Sequence, residues 1–285
     1  MTPSRSRTLW LRTEPLHAVI YFEEHCRGFG RAVGLKGFWM GYFAARTAPM
    51  GRVGPGVAAA ALGVFAPGMV ERALPSAWEY VSPDRVVEER ARLTARALRH
   101  LVPDVEKLAA AVNGPLKDAV EDAPPLARPL FAANRALADR SDPVEQLWQL
   151  ATCVREFRGD AHVAVLADHG LDAREALALA AVTGRVDGAQ IRQARGWTEE
   201  EWADSMDRLR DRGLVDGAGR VTERGVTERE RVEDDTDRLA EHLLRPLAKP
   251  ATEALLAALL PASRSILDSG ILPFPNPIGL PRAAG

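Results

Sequence analysis

Five ionisable side chains fall within eight residues in Arg155-Glu156-Phe157-Arg158-Gly159-Asp160-Ala161-His162. On a helix Glu156 and Asp160 stand four apart, as do Arg158 and His162, so each pair shares a face. Arg155 and Arg158 could hold a carboxylate or phosphate. His162, oriented by Glu156 or Asp160, could act as a general acid or base. One His with two carboxylates is an incomplete metal site unless another segment supplies a ligand, and no metal is expected. The flanks are apolar, with Trp148, Leu150 and Val154 before the cluster and Val163, Val165 and Leu166 after it. Charges so embedded must face a cavity or pair with one another, and a buried ion-pair network between helices is the structural alternative.

A second concentration is Phe38-Trp39-Met40-Gly41-Tyr42-Phe43, four aromatic residues in six positions of a chain that is 6% aromatic. On a helix Trp39 and Phe43 share one face, Phe38 and Tyr42 another, and Gly41 admits a second backbone. Trp39, Tyr42 and Phe43 would make a flat pocket wall, with Tyr42 and Arg46 as polar handles. The alternative is plain core packing beneath the Ala-rich run that follows. The best partner is the helix from Val144 to Ala167, where Gly159 leaves room for a bulky neighbour. The aromatic segment is therefore expected to face Arg155 to His162 across a cavity apolar on one wall and charged on the other.

Other chemistry lacks its usual signals. The chain holds no GxSxG elbow, P-loop, GxGxxG or HExxH, and Gly28-Phe29-Gly30 lacks the strand and third glycine of a dinucleotide fingerprint. His25 and Cys26 adjoin Glu23 and Glu24, but neighbours on a helix point apart; His17, His100, His169 and His242 stand alone. No cofactor is singled out. Two cysteines among 285 residues exclude a disulfide framework. The uncharged run Val53 to Val70 is too short and too interrupted by Gly and Pro to span a membrane, and no secretory signal follows the start. A cytoplasmic location is expected.

These groups need elements to hold them, and helical periodicity dominates. Ser82-Pro83 opens a helix to about His100, Pro103 to Val120 forms another, and Asp142-Pro143 opens a third that ends by His169-Gly170. After Gly170 the organisation changes. Helices are expected over Leu171 to Gly184 and Asp187 to Ala194, and Thr198-Glu199-Glu200-Glu201 is a capping box opening a helix through Arg212. Asp216-Gly217-Ala218-Gly219 would turn a small hairpin, and Glu223 begins a long charged helix. Three helices, a hairpin and a further helix describe a winged helix-turn-helix. The expected fold is mainly α: a helical domain over 1–170, a winged helix-turn-helix with a small β-hairpin wing over 171–245, and a C-terminal helix with a docked Pro-rich tail over 246–285.

Leu209 to Leu243 resembles the wing and following helix of MarR-type winged-helix proteins, through Thr222, Gly225, Thr236, Asp237 and Leu239. Over nearly its whole length the chain also resembles an actinobacterial helix-turn-helix family, through "LKGFWMGYFAARTAPMG", "REFRGDAHVAVL", "ARGWTEEEW" and "LPFPNPIGLP". This resemblance implies a fold and no particular activity. It also implies that relatives carry His where this chain has Phe157, so a two-histidine metal or haem site would be broken here. A MarR-like protein would be expected to form a homodimer through its terminal helices.

DNA binding is disfavoured by charge. From Arg185 to Arg245 there are 16 acidic residues against 12 arginines, a net of −4. The third helix of the motif begins on three glutamates, where a recognition helix meets base edges. The leading expectation is a winged-helix protein without strong DNA binding, holding a small-molecule ligand between its N-terminal helices and the winged helix. Trp39, Tyr42, Phe43, Arg46, Arg155 and Arg158 are its candidate ligand contacts. One alternative is an enzyme of specialised metabolism using His162 with Glu156 or Asp160 as catalytic residues. The other is a MarR-like transcriptional regulator.

Overall fold

Asp142 accepts hydrogen bonds from the backbone N–H groups of Val144 and Glu145 (2.9 and 3.0 Å) and Pro143 takes the first helical position, so the longest helix starts there. It runs from Pro143 to Asp168 and is buried on nearly every side. A helix apolar around most of its circumference belongs at the centre of a fold. A computed structural model describes residues 3–282 and places this helix as the spine of the protein.

The described residues form sixteen α-helices. Before the spine come α1 (Arg5–Phe22), α2 (Glu24–Arg27), α3 (Phe29–Ala32), α4 (Gly37–Thr47), α5 (Pro55–Leu62), α6 (Pro67–Glu71), α7 (Ala77–Tyr80), α8 (Pro83–Leu101), α9 (Val105–Asp122) and α10 (Pro129–Arg135). The spine is α11 (Pro143–Asp168), followed by α12 (Ala173–Val182), α13 (Gly188–Ala194), α14 (Glu199–Asp211), α15 (Glu223–Ala240) and α16 (Lys249–Asp268). No helix is long and apolar enough to cross a membrane among the described residues.

Three apolar clusters organise these helices. The largest joins α1, α8, α9, the first half of α11 and α16, with Leu16, Leu98, Leu116, Trp148 and Leu259 at its centre. The second gathers α4 to α7 around Phe43, Phe65 and Trp78. The third holds the helix-turn-helix: Val165 and Leu166 at the end of α11 pack with Leu179, Leu209, Leu214 and Val232. The spine thus enters both the body and the helix-turn-helix, and Trp197 ties the latter to the second cluster through its indole N–H to the Val64 carbonyl (3.1 Å).

Capping signals govern the helix-turn-helix. Asp172 with Glu175, and Thr198 with Glu201, form reciprocal capping boxes at the starts of α12 and α14. The β-hairpin wing is not formed, which corrects the expectation above. Between α14 and α15 a single antiparallel bridge joins Val215 to Val221, and no strand is present among the described residues. The cause is length: Gly213 leaves α14 in a left-handed conformation (φ 70°), while Thr222 already caps α15 by accepting from Gly225 N–H at 3.1 Å. That leaves about two residues on each side of the turn, too few for a ladder.

After α16 the chain crosses the body as an extended strap. Leu272 and Leu280 are buried, and the Asn276 side chain closes a turn with the backbone of Leu280 through bonds of 2.8 and 2.9 Å.

Candidate functional site

Where α1, α4, α11, α12, α13, α15 and the strap converge they line a half-open cavity of about 970 Å³. That is the size of a pocket for a drug-sized molecule. Apolar surface comes from Ala61, Leu62, Phe65, Leu177 and Ile278, and charge from two separate groups of residues.

The inner group surrounds Glu156. Its Oε2 accepts from Arg46 Nη2 at 2.8 Å, and its Oε1 from Arg155 Nη1 at 3.1 Å. Arg155 Nε also reaches Glu14 Oε1 (3.2 Å), while the Trp10 indole donates to Glu14 Oε2 (3.1 Å). Burial pushes the Glu156 carboxyl up, but the two guanidinium groups outweigh it and hold the pKa below the ordinary value. At Glu14 burial prevails over Arg155 and the pKa is raised. Arg46 also donates to the Tyr42 hydroxyl (3.2 Å), which places that phenol beside the ion pair.

The outer group joins α11 to α15. Arg158 donates to Asp237 Oδ1 (2.6 Å) and Glu233 Oε2 (2.9 Å), and its guanidinium lies 5.2 Å from the Trp10 ring centre. Arg7 reaches Asp237 at 2.7 Å and Arg229 pairs with Glu233. Burial raises the Glu233 carboxyl, but Arg229 and Arg158 override it and bring its pKa to about 2.

His162 faces the cavity between these groups, with Nδ1 3.0 Å from Thr236 Oγ1. The Thr236 hydroxyl spends its proton on the Val232 carbonyl (2.7 Å), so it accepts from His162 Nδ1–H. That fixes the neutral tautomer and leaves a lone pair on Nε2. Burial, reinforced by Arg229 and Arg158 against Glu233, lowers the imidazole pKa to about 4.

The structure therefore brings Tyr42, Arg46, Arg155, Glu156, Arg158 and His162 to one cavity. It places Trp39, Phe43 and Asp160 outside the lining. Phe43 is fully buried against Phe65 (ring centres 5.0 Å apart), and Trp39 packs on the same cluster. Asp160 turns to the first turn of α10, where Oδ2 accepts from Phe131 N–H at 2.8 Å; burial raises its pKa to about 7. Phe157 is buried edge-on to Phe131, and the Arg128 guanidinium lies 4.0 Å from its ring centre. No three His, Cys, Asp or Glu side chains converge as a metal-holding group among the described residues.

Sequence reasoning missed Glu14, Trp10 and Arg195. The first two lie on a helix without amphipathic rhythm. Arg195 precedes Gly196-Trp197 in the loop between the second and third helices of the motif, and only the chain reversal there could have signalled it. Arg195 is 8% exposed, donates from Nη2 to the Pro277 carbonyl (2.6 Å), and lies 4.5 Å from the Phe65 ring centre.

A helix-turn-helix family model matches residues 6–273. The chain belongs to that helix-turn-helix family. Neither curated proteins nor solved structures gave a match.

Across the family's motif in this chain, the outward face of α14 presents Glu199, Glu200, Asp204, Asp207 and Asp211, with Arg210 as the exposed arginine among them. Arg210 is itself engaged by Asp207, and Arg220 of the bridged turn by Asp216.

Proposed function

We propose that this helix-turn-helix protein is a small-molecule-binding protein, its ligand held between the N-terminal helices and the helix-turn-helix, without strong DNA binding. The observation that carries this reading is the 970 Å³ cavity, lined at once by the body, by α13 and α15, and by the strap. Its walls pair apolar surface with fixed polar groups, the composition of a ligand pocket rather than of a packing defect. The acidic face of α14 supports the second half of the reading. An anionic helix placed in the major groove would meet phosphate repulsion instead of releasing counterions.

The five positions on which the resemblance to MarR-type proteins rests have internal employment. Thr222 caps α15, Gly225 leaves room for the Leu214 carbonyl, Thr236 holds His162, and Asp237 pairs with Arg158 and Arg7. Leu239 packs on the helix-turn-helix cluster. We read the module as a MarR-like scaffold whose first role is to close the cavity.

Binding is favoured over acid–base catalysis. A base with a pKa of about 4 is weak at neutral pH, and the partner that orients His162 is Thr236 rather than Glu156 or Asp160. A thermal-shift screen of small organic acids, amines and neutral amphiphiles tests the reading. Hits should stabilise the wild type and fail on Gly159→Leu, whose side chain would enter the cavity. Tight, competitor-resistant retention of duplex DNA at low salt, with no stabilising small molecule, would overturn it.

A further inference from the structure

Sorting the charges of the cavity's inner end leaves one cation without an acid. Arg46 and Arg155 share Glu156, and Arg155 also takes Glu14. Arg195 makes no ion pair among the described residues, although its side chain is nine-tenths buried. Its Nη2 is satisfied by a neutral carbonyl, that of Pro277, and its buried Nε has no partner. A buried charge left so under-served is costly unless something else completes it. Arg46 Nε is likewise buried without a partner.

The surroundings hold Arg195 ready. Its own carbonyl accepts from Ala66 N–H (2.9 Å), and the neighbouring Trp197 indole is anchored on Val64, so the loop carrying it is fastened at two points. The guanidinium lies over Phe65, whose ring centre is 5.4 Å from that of Tyr42. A cation, two aromatic rings and a phenol hydroxyl therefore meet at one end of the cavity.

We propose that this inner end is an anion-binding subsite in which Arg195 receives the carboxylate, or an equivalent single negative charge, of an amphipathic ligand whose apolar body lies along Phe65 and Tyr42. The inference rests on the ligand-binding reading above. A monoanion matches the charge count, since one guanidinium is uncompensated; a dianion would leave a buried charge unpaired. Pro277 does not have to move, because Nη1, which makes no hydrogen bond and is not sealed off, remains for the ligand while the strap keeps Nη2.

Two fluorescent probes with the same ring system separate charge from hydrophobicity: 8-anilinonaphthalene-1-sulfonate, an anion, and N-phenyl-1-naphthylamine, its neutral counterpart. Titrated into the full-length protein, the anion should bind at least tenfold more tightly than the neutral probe. Arg195→Gln should erase that preference, leave the neutral probe within twofold of wild type, and keep the wild-type circular dichroism spectrum; Arg195→Lys should retain part of it. A wild-type preference ratio of one or less overturns the subsite without any variant. Equal weakening of both probes by Arg195→Gln overturns it too. If the neutral probe binds and Gly159→Leu blocks it, the cavity reading stands whatever happens to the anion. If neither probe binds wild type, or Gly159→Leu affects neither, the cavity reading and this inference fall together.

Discussion

Arg46 Nη2 and Glu156 Oε2 lie 2.8 Å apart across 110 residues of chain, with 8% and 2% of their side chains exposed. This pair fastens α4 to α11 and sets the charged wall of the cavity. Removing one partner leaves the other charge buried, which costs far more than the pair itself is worth. Glu156→Ala, which strands both Arg46 and Arg155, should lower stability by about 3–5 kcal/mol in urea denaturation. Arg46→Met with Glu156→Met should cost less than the two single changes added together. A loss under about 1 kcal/mol for Glu156→Ala would show that water reaches the pair.

Arg158 lines the same cavity and also serves a buried ion-pair network between helices, the structural alternative that its segment of the sequence raised. It crosses from α11 to both Asp237 and Glu233 on α15. Those acids keep other partners, since Asp237 holds Arg7 and Glu233 holds Arg229. Arg158→Ala should therefore be survivable, at about 1–3 kcal/mol for the lost charge-assisted bonds. Calorimetry should show a lowered Tm with the fold retained. Complete unfolding would mean that α15 depends on this one side chain.

How much of this was legible depends on how each signal is encoded. Caps are local, so Ser82, Asp142 and Thr198 mark helix starts that the structure reproduces. The aromatic and charged segments do meet, but through the Arg46–Glu156 bond; Gly41 packs on Gly30 of α3, and Gly159 borders open space rather than a bulky neighbour. By contrast α1 was invisible: it is buried nearly all round and contains Pro15, so no amphipathic rhythm shows, and Trp10 and Glu14 were lost with it. Spacing put Glu156 and Asp160 on one helical face, but α11 is enclosed by several helices. Its neighbours divide that face, with Arg46 drawing Glu156 and the Phe131 N–H drawing Asp160. The wing failed for a different reason, since the Thr222 cap consumed the residues of the return strand.

His162 gives a pH signature. Its folded pKa of about 4 lies below the ordinary 6.5, chiefly through burial. Above pH 6.5 neither folded nor unfolded chain holds the proton, and the full stability is present. As pH falls the unfolded chain takes up a proton that the folded site refuses, so stability is lost between about 6.5 and 4. At pH 5 the loss from this group amounts to about 2 kcal/mol, at 1.36 kcal/mol per pKa unit. His162→Gln should flatten that part of the profile, read as the difference in unfolding free energy between pH 7.5 and 5. Parallel profiles for the variant and wild type would contradict the shifted imidazole.

The last prediction tests what places Tyr42 and Arg46 at the cavity. On α4, Gly41 faces Gly30 of α3, and a Cβ built on Gly41 would stand 2.8 Å from the Gly30 Cα and 3.2 Å from its nitrogen. Those are backbone atoms, so no flexible side chain can yield to relieve the clash. Neither glycine has a positive φ, so the requirement is close packing rather than an unusual backbone angle. Gly41→Ala gains about 1 kcal/mol of helix propensity, yet it must push α4 away from α3. The Arg46–Glu156 bond, Tyr42 and Phe43 move with that helix. Overpacking typically costs about 1–3 kcal/mol, enough to outweigh the propensity gain. We expect Gly41→Ala to be less stable than wild type by differential scanning calorimetry and to bind the cavity probes more weakly. An equivalent Gly→Ala change at Gly56, exposed in the first turn of α5 where an added Cβ meets nothing within 4 Å, should stabilise instead. If Gly41→Ala also stabilises, α3 and α4 are free to separate, and the aromatic segment is not held against the charged wall by this contact.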